Sequence, residues 1–381
     1  MKDYAKLSIE AHRKNRGKLE IVGKLPIENR DDLSICYTPG VAAPCLEIAK
    51  NKSAAYELTS MKSTVAVVTD GSAVLGLGNI GPVAALPVME GKCALFKRFA
   101  NLDAVPIVLG TQDTEEIISA VKAIAPTFGG INLEDISAPR CFIIEERLKK
   151  ELDIPVMHDD QHGTAIVILS GLINALKVRG KKKENVSVVV NGAGAAGIAT
   201  IKLIHLYGFS KIVACDSKGV IHKNRDDLTA EKSEILKSTN KENKTGTLKE
   251  VLVGADIFLG VSKANVLNMD DVKRMNEGAI IFAMANPTPE ISAEEAISGG
   301  ASIYASGRSD LPNQINNSLV FPGIFRGAID ARVSKITDEM KIKAAKALAN
   351  IVKNPTAEKI IPGPFDEGVC KAVSSAISGT Q

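Results

Sequence analysis

"VVVNGAGAAGIAT", residues 188–200, decides the fold of this chain. Its three valines suit a buried strand, and Gly192, Gly194 and Gly197 follow in GxGxxG spacing where a helix opens. Each glycine has a task in a dinucleotide site. The first allows the tight turn, the second lets a pyrophosphate approach the backbone, and the third lets helix pack closely on strand. Free N–H groups at the helix start, beginning at Ala195, would face the phosphates. "KIVACDS" (211–217) supplies a second strand and ends in Asp216, about twenty residues on, as the fingerprint requires. An acid there is expected to accept hydrogen bonds from ribose hydroxyls and to repel a 2′-phosphate. That favours NAD, while the neighbouring Lys218 keeps NADP open.

Working outward, β-rich runs alternate with helical patterns on both sides. Downstream lie "ADIFLGVS" (255–262), "AIIFAMANP" (279–287) and "SIYASGRS" (302–309). Upstream, buried strands are expected at 63–71, 104–110, 128–136 and 152–160. Between the second and third of these, Ile117, Ile118, Val121 and Ile124 recur at helical spacing, and Asp113 with Glu116 predicts a capping box. Such alternation implies an α/β fold with a mostly parallel sheet covered by helices. At 381 residues the chain suits two domains. The expected division is an N-terminal α/β domain over 1–161 and a C-terminal Rossmann-type dinucleotide-binding domain over 162–381. The amphipathic tail 334–352 is expected to pack back on the body. "GLGNIG" (76–81) repeats the glycine spacing without a strand and acid around it, so it reads as a loop lining the site.

The net charge of +3, with both signs mixed throughout, argues against nucleic acid or a membrane surface as partner. No apolar stretch approaches the roughly 20 residues of a membrane span, and the first residues lack the apolar core of a signal peptide. Six scattered cysteines form no CxxC pair and read mostly as buried free thiols of a reducing compartment. A cytoplasmic enzyme is expected.

Acids cluster at the expected strand ends: Asp70 after "STVAVVT", Glu134 and Asp135 after "GGINL", Asp159 and Asp160 after "IPVMH". Ligands of parallel α/β sheets gather outside the carboxyl ends of strands. Converging carboxylates repel one another and shift their pKa values upward. A hard divalent ion with oxygen ligands, Mg²⁺ or Mn²⁺, would resolve that. His158 and His162 straddle a strand end and a turn rather than one helix face, so they are read as supports and not as zinc ligands.

The ordered set "SICYTPGVA" (34–42), "TDGSAVLGLGNIGPVAALPVMEGKCALFK" (69–97), "INLEDI" (131–136), "HDDQHGTA" (158–165), "NGAGAAG" (191–197), "FAMANPTPE" (282–290) and "NNSLVFPG" (316–323) resembles that of the malic enzymes, in their short form. The resemblance spans nearly the whole chain. It implies NAD(P)⁺-dependent oxidation of L-malate and decarboxylation to pyruvate and CO₂, with Mg²⁺ or Mn²⁺, in at least a homodimer. By position it assigns Glu134, Asp135 and Asp160 as metal ligands, Lys92 as general base, Tyr37 as general acid and Asp159 as the partner of Lys92. Asn286 and Asn317 match substrate contacts, and Asn286 also lies against the cofactor. A neutral Lys92, its pKa depressed by the cation, would take the hydroxyl proton. One departure is Ala73, where long forms carry an arginine for a malate carboxylate. Ser72, Thr38 or a backbone N–H is left to serve.

Overall fold

The computed structural model describes residues 3–74 and 76–379; Leu75 of the "TDGSAVLG" motif lies outside them. Two parallel sheets organise the chain. The first runs β2-β1-β3-β4, with β1 at Thr64–Thr69, β2 at Asp103–Val108, β3 at Gly130–Leu133 and β4 at Val156–His158. All three of its pairings are parallel. The second runs β10-β9-β8-β5-β6-β7. Its strands are β5 Ser187–Asn191, β6 Lys211–Asp216, β7 Gly219–Val220, β8 Ile257–Gly260, β9 Ile280–Ala283 and β10 Ile303–Ser306. Only β7 joins it antiparallel, on the edge. Every residue of β1, β8, β9 and β10 is buried, as befits strands covered on both faces.

Strand order reverses at β1 in the first sheet and at β5 in the second. Crevices therefore open beyond Thr69 and beyond Asn191, where ligands of such sheets bind. The expected strands were longer than those observed because their ends turn away. Asp135 has φ +53°, and Asp159 already begins a helix. The capping box at Asp113 is half formed. Its carboxylate accepts from Glu115 N and Glu116 N, but the Glu116 carboxylate accepts from the Thr111 hydroxyl.

Helix Asp159–Arg179 links the two sheets and stops at Gly180, whose φ is +61°. Residues 165–176 of it are all buried, the mark of a helix enclosed on every side. The expected domain break between 161 and 162 falls in its first turn, so no flexible linker separates the sheets. Helix Asp338–Ala349, the body of the expected tail, packs against it. Helix Phe321–Asp330 reaches further back: Phe321 and Phe325 lie edge-on to Phe96 at 4.7 and 5.5 Å between ring centroids. The C-terminal segment thus shares the core of the first sheet.

The helices between Tyr4 and Leu58 contain no buried residue. They leave Tyr4, Ile21, Val22, Leu25, Ile35 and Leu46 more than half exposed. Of the cysteines, Cys93, Cys141 and Cys215 are buried, whereas Cys45 is exposed and Cys36 and Cys370 are half-buried, so burial holds for three of six. Among the described residues no helix is long and apolar enough to cross a membrane.

Candidate active site

The acidic group beyond β1 is built by two chain turns and one helix. β3 ends at Leu133, and the positive φ of Asp135 breaks the alternation of an extended chain. Glu134 and Asp135 therefore serve one side together. From β4 the chain enters helix Asp159–Arg179, whose first two residues diverge by about 100°, more than a quarter of a turn. Asp159 turns inward and is fully buried, while the Asp160 side chain stays 31% exposed toward the crevice. Asp160 Oδ2 accepts from Asp135 N at 2.8 Å. Carboxylate oxygens of Glu134, Asp135 and Asp160 all lie within 4.8 Å of one another.

Lys92 closes the other side from helix Pro82–Ala100. Its Nζ lies 2.6 Å from Asp159 Oδ2, 2.9 Å from Glu134 Oε1 and 4.1 Å from the centre of the Phe321 ring. Burial alone would lower its pKa, but Asp159, Glu134 and Asp160 outweigh burial and raise it. The ammonium form is therefore strongly held. Glu134 is pushed the other way: burial, with Asp160 and Asp159 nearby, raises its carboxyl well above the usual range against the pull of Lys92. Asn132 Nδ2 donates to its second oxygen at 2.8 Å.

This donor set fits a hard divalent cation. Three carboxylates converge from two strand ends, all ligands are oxygen, and the ammonium beside them leaves the group net negative. Neither histidine belongs to the group of three converging carboxylates. The His162 ring lies 2.9 Å from Glu145 Oε2, and burial lowers its pKa to about 4. Neutral His162 must then donate through Nε2–H to an ionised Glu145. His158 is buried with Nε2 3.8 Å from Asp160 Oδ2.

Asn317 sits beside this group. A Cβ added at Gly163 would overlap Asp159 Oδ1 and touch the Asn317 side chain, so Gly163 lets the three pack together. Asn286 belongs to a loop across the cleft, with Nδ2 donating to Met284 O at 3.3 Å. The 76–81 loop meets that loop, since a Cβ on Gly76 would press on Asn286 O. Glu290 anchors it by accepting from Ser262 N and Ala285 N at 2.9 Å each. Ser72 is already engaged: its hydroxyl donates to Asp70 Oδ1 and accepts from Ser137 N. The Ala73 N–H donates to Asp135 O. Asp70 is further held by Arg140 at 2.9 Å.

At the second crevice, helix Ala195–Tyr207 starts at Gly194 with no side-chain cap, leaving its first N–H groups free. Gly192 has φ +119°, and a Cβ on Gly197 would overlap Gly192 O. Asp216 differs from the expected ribose acceptor. Both its oxygens already accept: Oδ1 from Arg225 Nη1 and Lys218 N, Oδ2 from Arg225 Nη2 and Lys232 Nζ. Lys218 Nζ pairs with Asp227.

Tyr37 is not drawn into the acidic group. It is 67% exposed, at the end of helix Arg30–Cys36. Sequence reasoning missed Glu145, Glu290 and Arg140, each a charged group whose partners come from distant segments.

Residues 16–149 match the malic enzyme N-terminal domain and residues 161–377 the malic enzyme NAD-binding domain. A bifunctional malic/malolactic enzyme of Bacillus subtilis is 56% identical over 97% of this chain and 91% of its own. An NAD-dependent malic enzyme of Geobacillus stearothermophilus is 55% identical over 95% of this chain and 76% of its own. The crystal structure of an NAD-dependent malic enzyme from Thermotoga maritima superposes with a TM-score of 0.95 at 49% identity, covering 97% of this chain and 98% of that one. Two domain matches across the cleft, and relatives aligned along nearly its full length, leave one assignment: this chain belongs to the malic enzyme family.

Proposed function

We propose that this chain oxidises L-malate with NAD(P)⁺ and decarboxylates the product to pyruvate and CO₂. The observation that carries this reading is Lys92, buried between Asp159 and Glu134 at the rim of three converging carboxylates. Glu134, Asp135 and Asp160 would hold Mg²⁺ or Mn²⁺, which supplies Lewis acidity at the C2 oxygen of malate and stabilises the charge left when CO₂ departs.

Lys92 is the general base. Its ammonium is favoured by Asp159, Glu134 and Asp160; a divalent cation held by Glu134 and Asp160 would offset part of that field, and the neutral Nζ would accept the C2 hydroxyl proton as hydride leaves. Asp159 orients Lys92 and stabilises the positive charge it gains. Tyr37, the sequence's candidate for the general acid at C3, lies exposed outside the acidic group, so that role would require its segment to fold over the bound substrate. Gly192, Gly194, Ala195 and Gly197 would hold the cofactor pyrophosphate, and Asn286 and Asn317 would donate to a malate carboxylate without adding charge. Asp216, the sequence's candidate for the ribose hydroxyls, would accept from them in place of one of the cations that now bond it. A homodimer covers the exposed apolar side chains of the first 58 residues. Six free cysteines accord with a cytoplasmic setting.

The test is absorbance at 340 nm with malate, Mn²⁺ and either cofactor. A malate-dependent rise that chelator abolishes supports the reading. No signal with either NAD⁺ or NADP⁺ overturns it.

A further inference from the structure

Glu145 is a carboxylate in an apolar seam. It lies on helix Arg140–Glu151, one turn from Cys141 and beside Ile144 and Leu148, all buried where that helix packs under the first sheet. Those three side chains would suffice for packing. A buried charge there is costly unless its oxygens are fully used. They are used, and mostly by one segment. Oε1 accepts from His158 N at 2.9 Å, and Oε2 from His162 Nε2 at 2.9 Å, with Gln161 Nε2 at 3.5 Å. Lys149 adds an ion pair at 2.6 Å from the next turn of its own helix.

The segment so gripped is the one on which the acidic group depends. His158 is the N-cap of helix Asp159–Arg179 and offers no side-chain cap. Glu145 holds the cap residue's own N–H from another element and places negative charge near the helix N-terminus, which favours it. Between the two gripped points, His158 and His162, lie Asp159 and Asp160. One must meet Lys92 and the other must meet Asp135 N. We propose that Glu145 is a positioning residue for the metal site: it fixes the strand-to-helix turn so that Asp159 and Asp160 diverge to their separate partners.

Glu145 bonds to His158, Gln161, His162 and Lys149 and to none of the three candidate ligands, so its effect passes through the turn. Outer partners of metal ligands typically change affinity by about 10–100-fold when removed. The proposal rests on the metal reading above, and its test is arranged to separate the two. Binding of Mn²⁺ alone is measured by the free-ion EPR signal, without malate or cofactor, for wild type, Glu145→Ala, Glu145→Gln and Leu148→Ala. Leu148→Ala opens a cavity in the same helix seam and serves as the control for lost packing. Glu145→Ala should weaken Mn²⁺ binding at least tenfold. Glu145→Gln, which keeps an acceptor for His158 N, should recover part of that loss. Leu148→Ala should stay within twofold of wild type despite its lower Tm. Glu145→Ala within twofold of wild type, or Leu148→Ala as weak as Glu145→Ala, overturns the proposal. Should Glu145→Ala not fold, Glu145→Gln decides: threefold or more weakening supports the role, and wild-type binding overturns it. A wild type that binds no Mn²⁺ but reduces cofactor with malate would remove the metal site, and the proposal with it, while leaving the activity standing.

Discussion

Two acidic strand ends of this molecule meet opposite fates. At the end of β6, Asp216 is surrounded by Arg225, Lys232 and a backbone N–H, so its charge is fully answered. At the ends of β3 and β4, Glu134, Asp135, Asp159 and Asp160 crowd against Lys92, and charge is left over. Both places look alike as sequence, an apolar run closing on aspartate. The difference lies in what other segments bring. A carboxylate balanced by cations stabilises its loop, whereas a group of carboxylates left net negative stores a demand for a cation. The two places should therefore respond in opposite ways to substitution.

Lys92→Ala should have the largest effect. Turnover of malate should fall by about 10²–10⁴-fold, the usual worth of a general base. Mn²⁺ should bind the variant as well as, or better than, wild type, since a competing cation is gone. Steady-state kinetics and direct Mn²⁺ titration check both halves. A variant that loses turnover only because it loses the metal would break the distinction drawn between base and ligands. Asp160→Ala should reverse the pattern, weakening Mn²⁺ more than the roughly 100-fold that bounds outer partners. Its Tm without metal should stay near that of wild type, because repulsion is relieved as a contact is lost.

Glycines sharpen the same contrast. Gly163 faces a side-chain oxygen of Asp159, and Gly197 faces the backbone carbonyl of Gly192. A side chain can swing aside, while a β-strand-to-helix turn cannot. Gly197→Ala should therefore cost fold and cofactor binding together, on the order of 1–3 kcal/mol from overpacking and more if the turn breaks. Gly163→Ala should fold well and lose about tenfold in kcat by pushing Asp159 off Lys92. Thermal unfolding and cofactor KM against kcat separate the outcomes.

How much of this was legible follows from range. The GxGxxG turn, the strand–helix alternation and the acids at strand ends are local patterns, and the structure carries all three. The joint service of Glu134 and Asp135 was harder to see. A strand sends neighbours to opposite faces, and only the positive φ of Asp135 brings them together. Asp216 illustrates the other limit: its partners lie 9 and 16 residues on, in a loop and a short helix with no motif of their own. Glu145 did leave a trace. "CFIIEERL" puts it four residues after Cys141, beside a stripe with Ile144 and Leu148 that is otherwise apolar. A lone charge on a buried stripe implies a distant partner, although it cannot name His158 and His162.

The smallest effects should come from removing charge without removing shape, and here the comparison predicts a change of sign. Burial would raise the carboxyl of Asp216, but Arg225, Lys232 and the Lys218 N–H outweigh it and lower it to about 2. A group depressed from the ordinary 3.8 stabilises the fold fully above about pH 4. That support fades as pH falls toward the folded value. Asp216→Asn should thus lower stability at pH 7 by about 1–3 kcal/mol for the cations left short of an acceptor, seen as a lower Tm. The gap from wild type should narrow between pH 4 and pH 2. Glu134→Gln should do the reverse in the chelated protein. Its carboxyl is held up by burial and by its acidic neighbours, so the ionised form works against the fold at neutral pH. Removing that charge should raise Tm at pH 7, and saturating Mn²⁺ should then stabilise wild type more than the variant. If both variants shifted Tm in the same direction at pH 7, the distinction between a carboxylate balanced by cations and one crowded by other acids would fail.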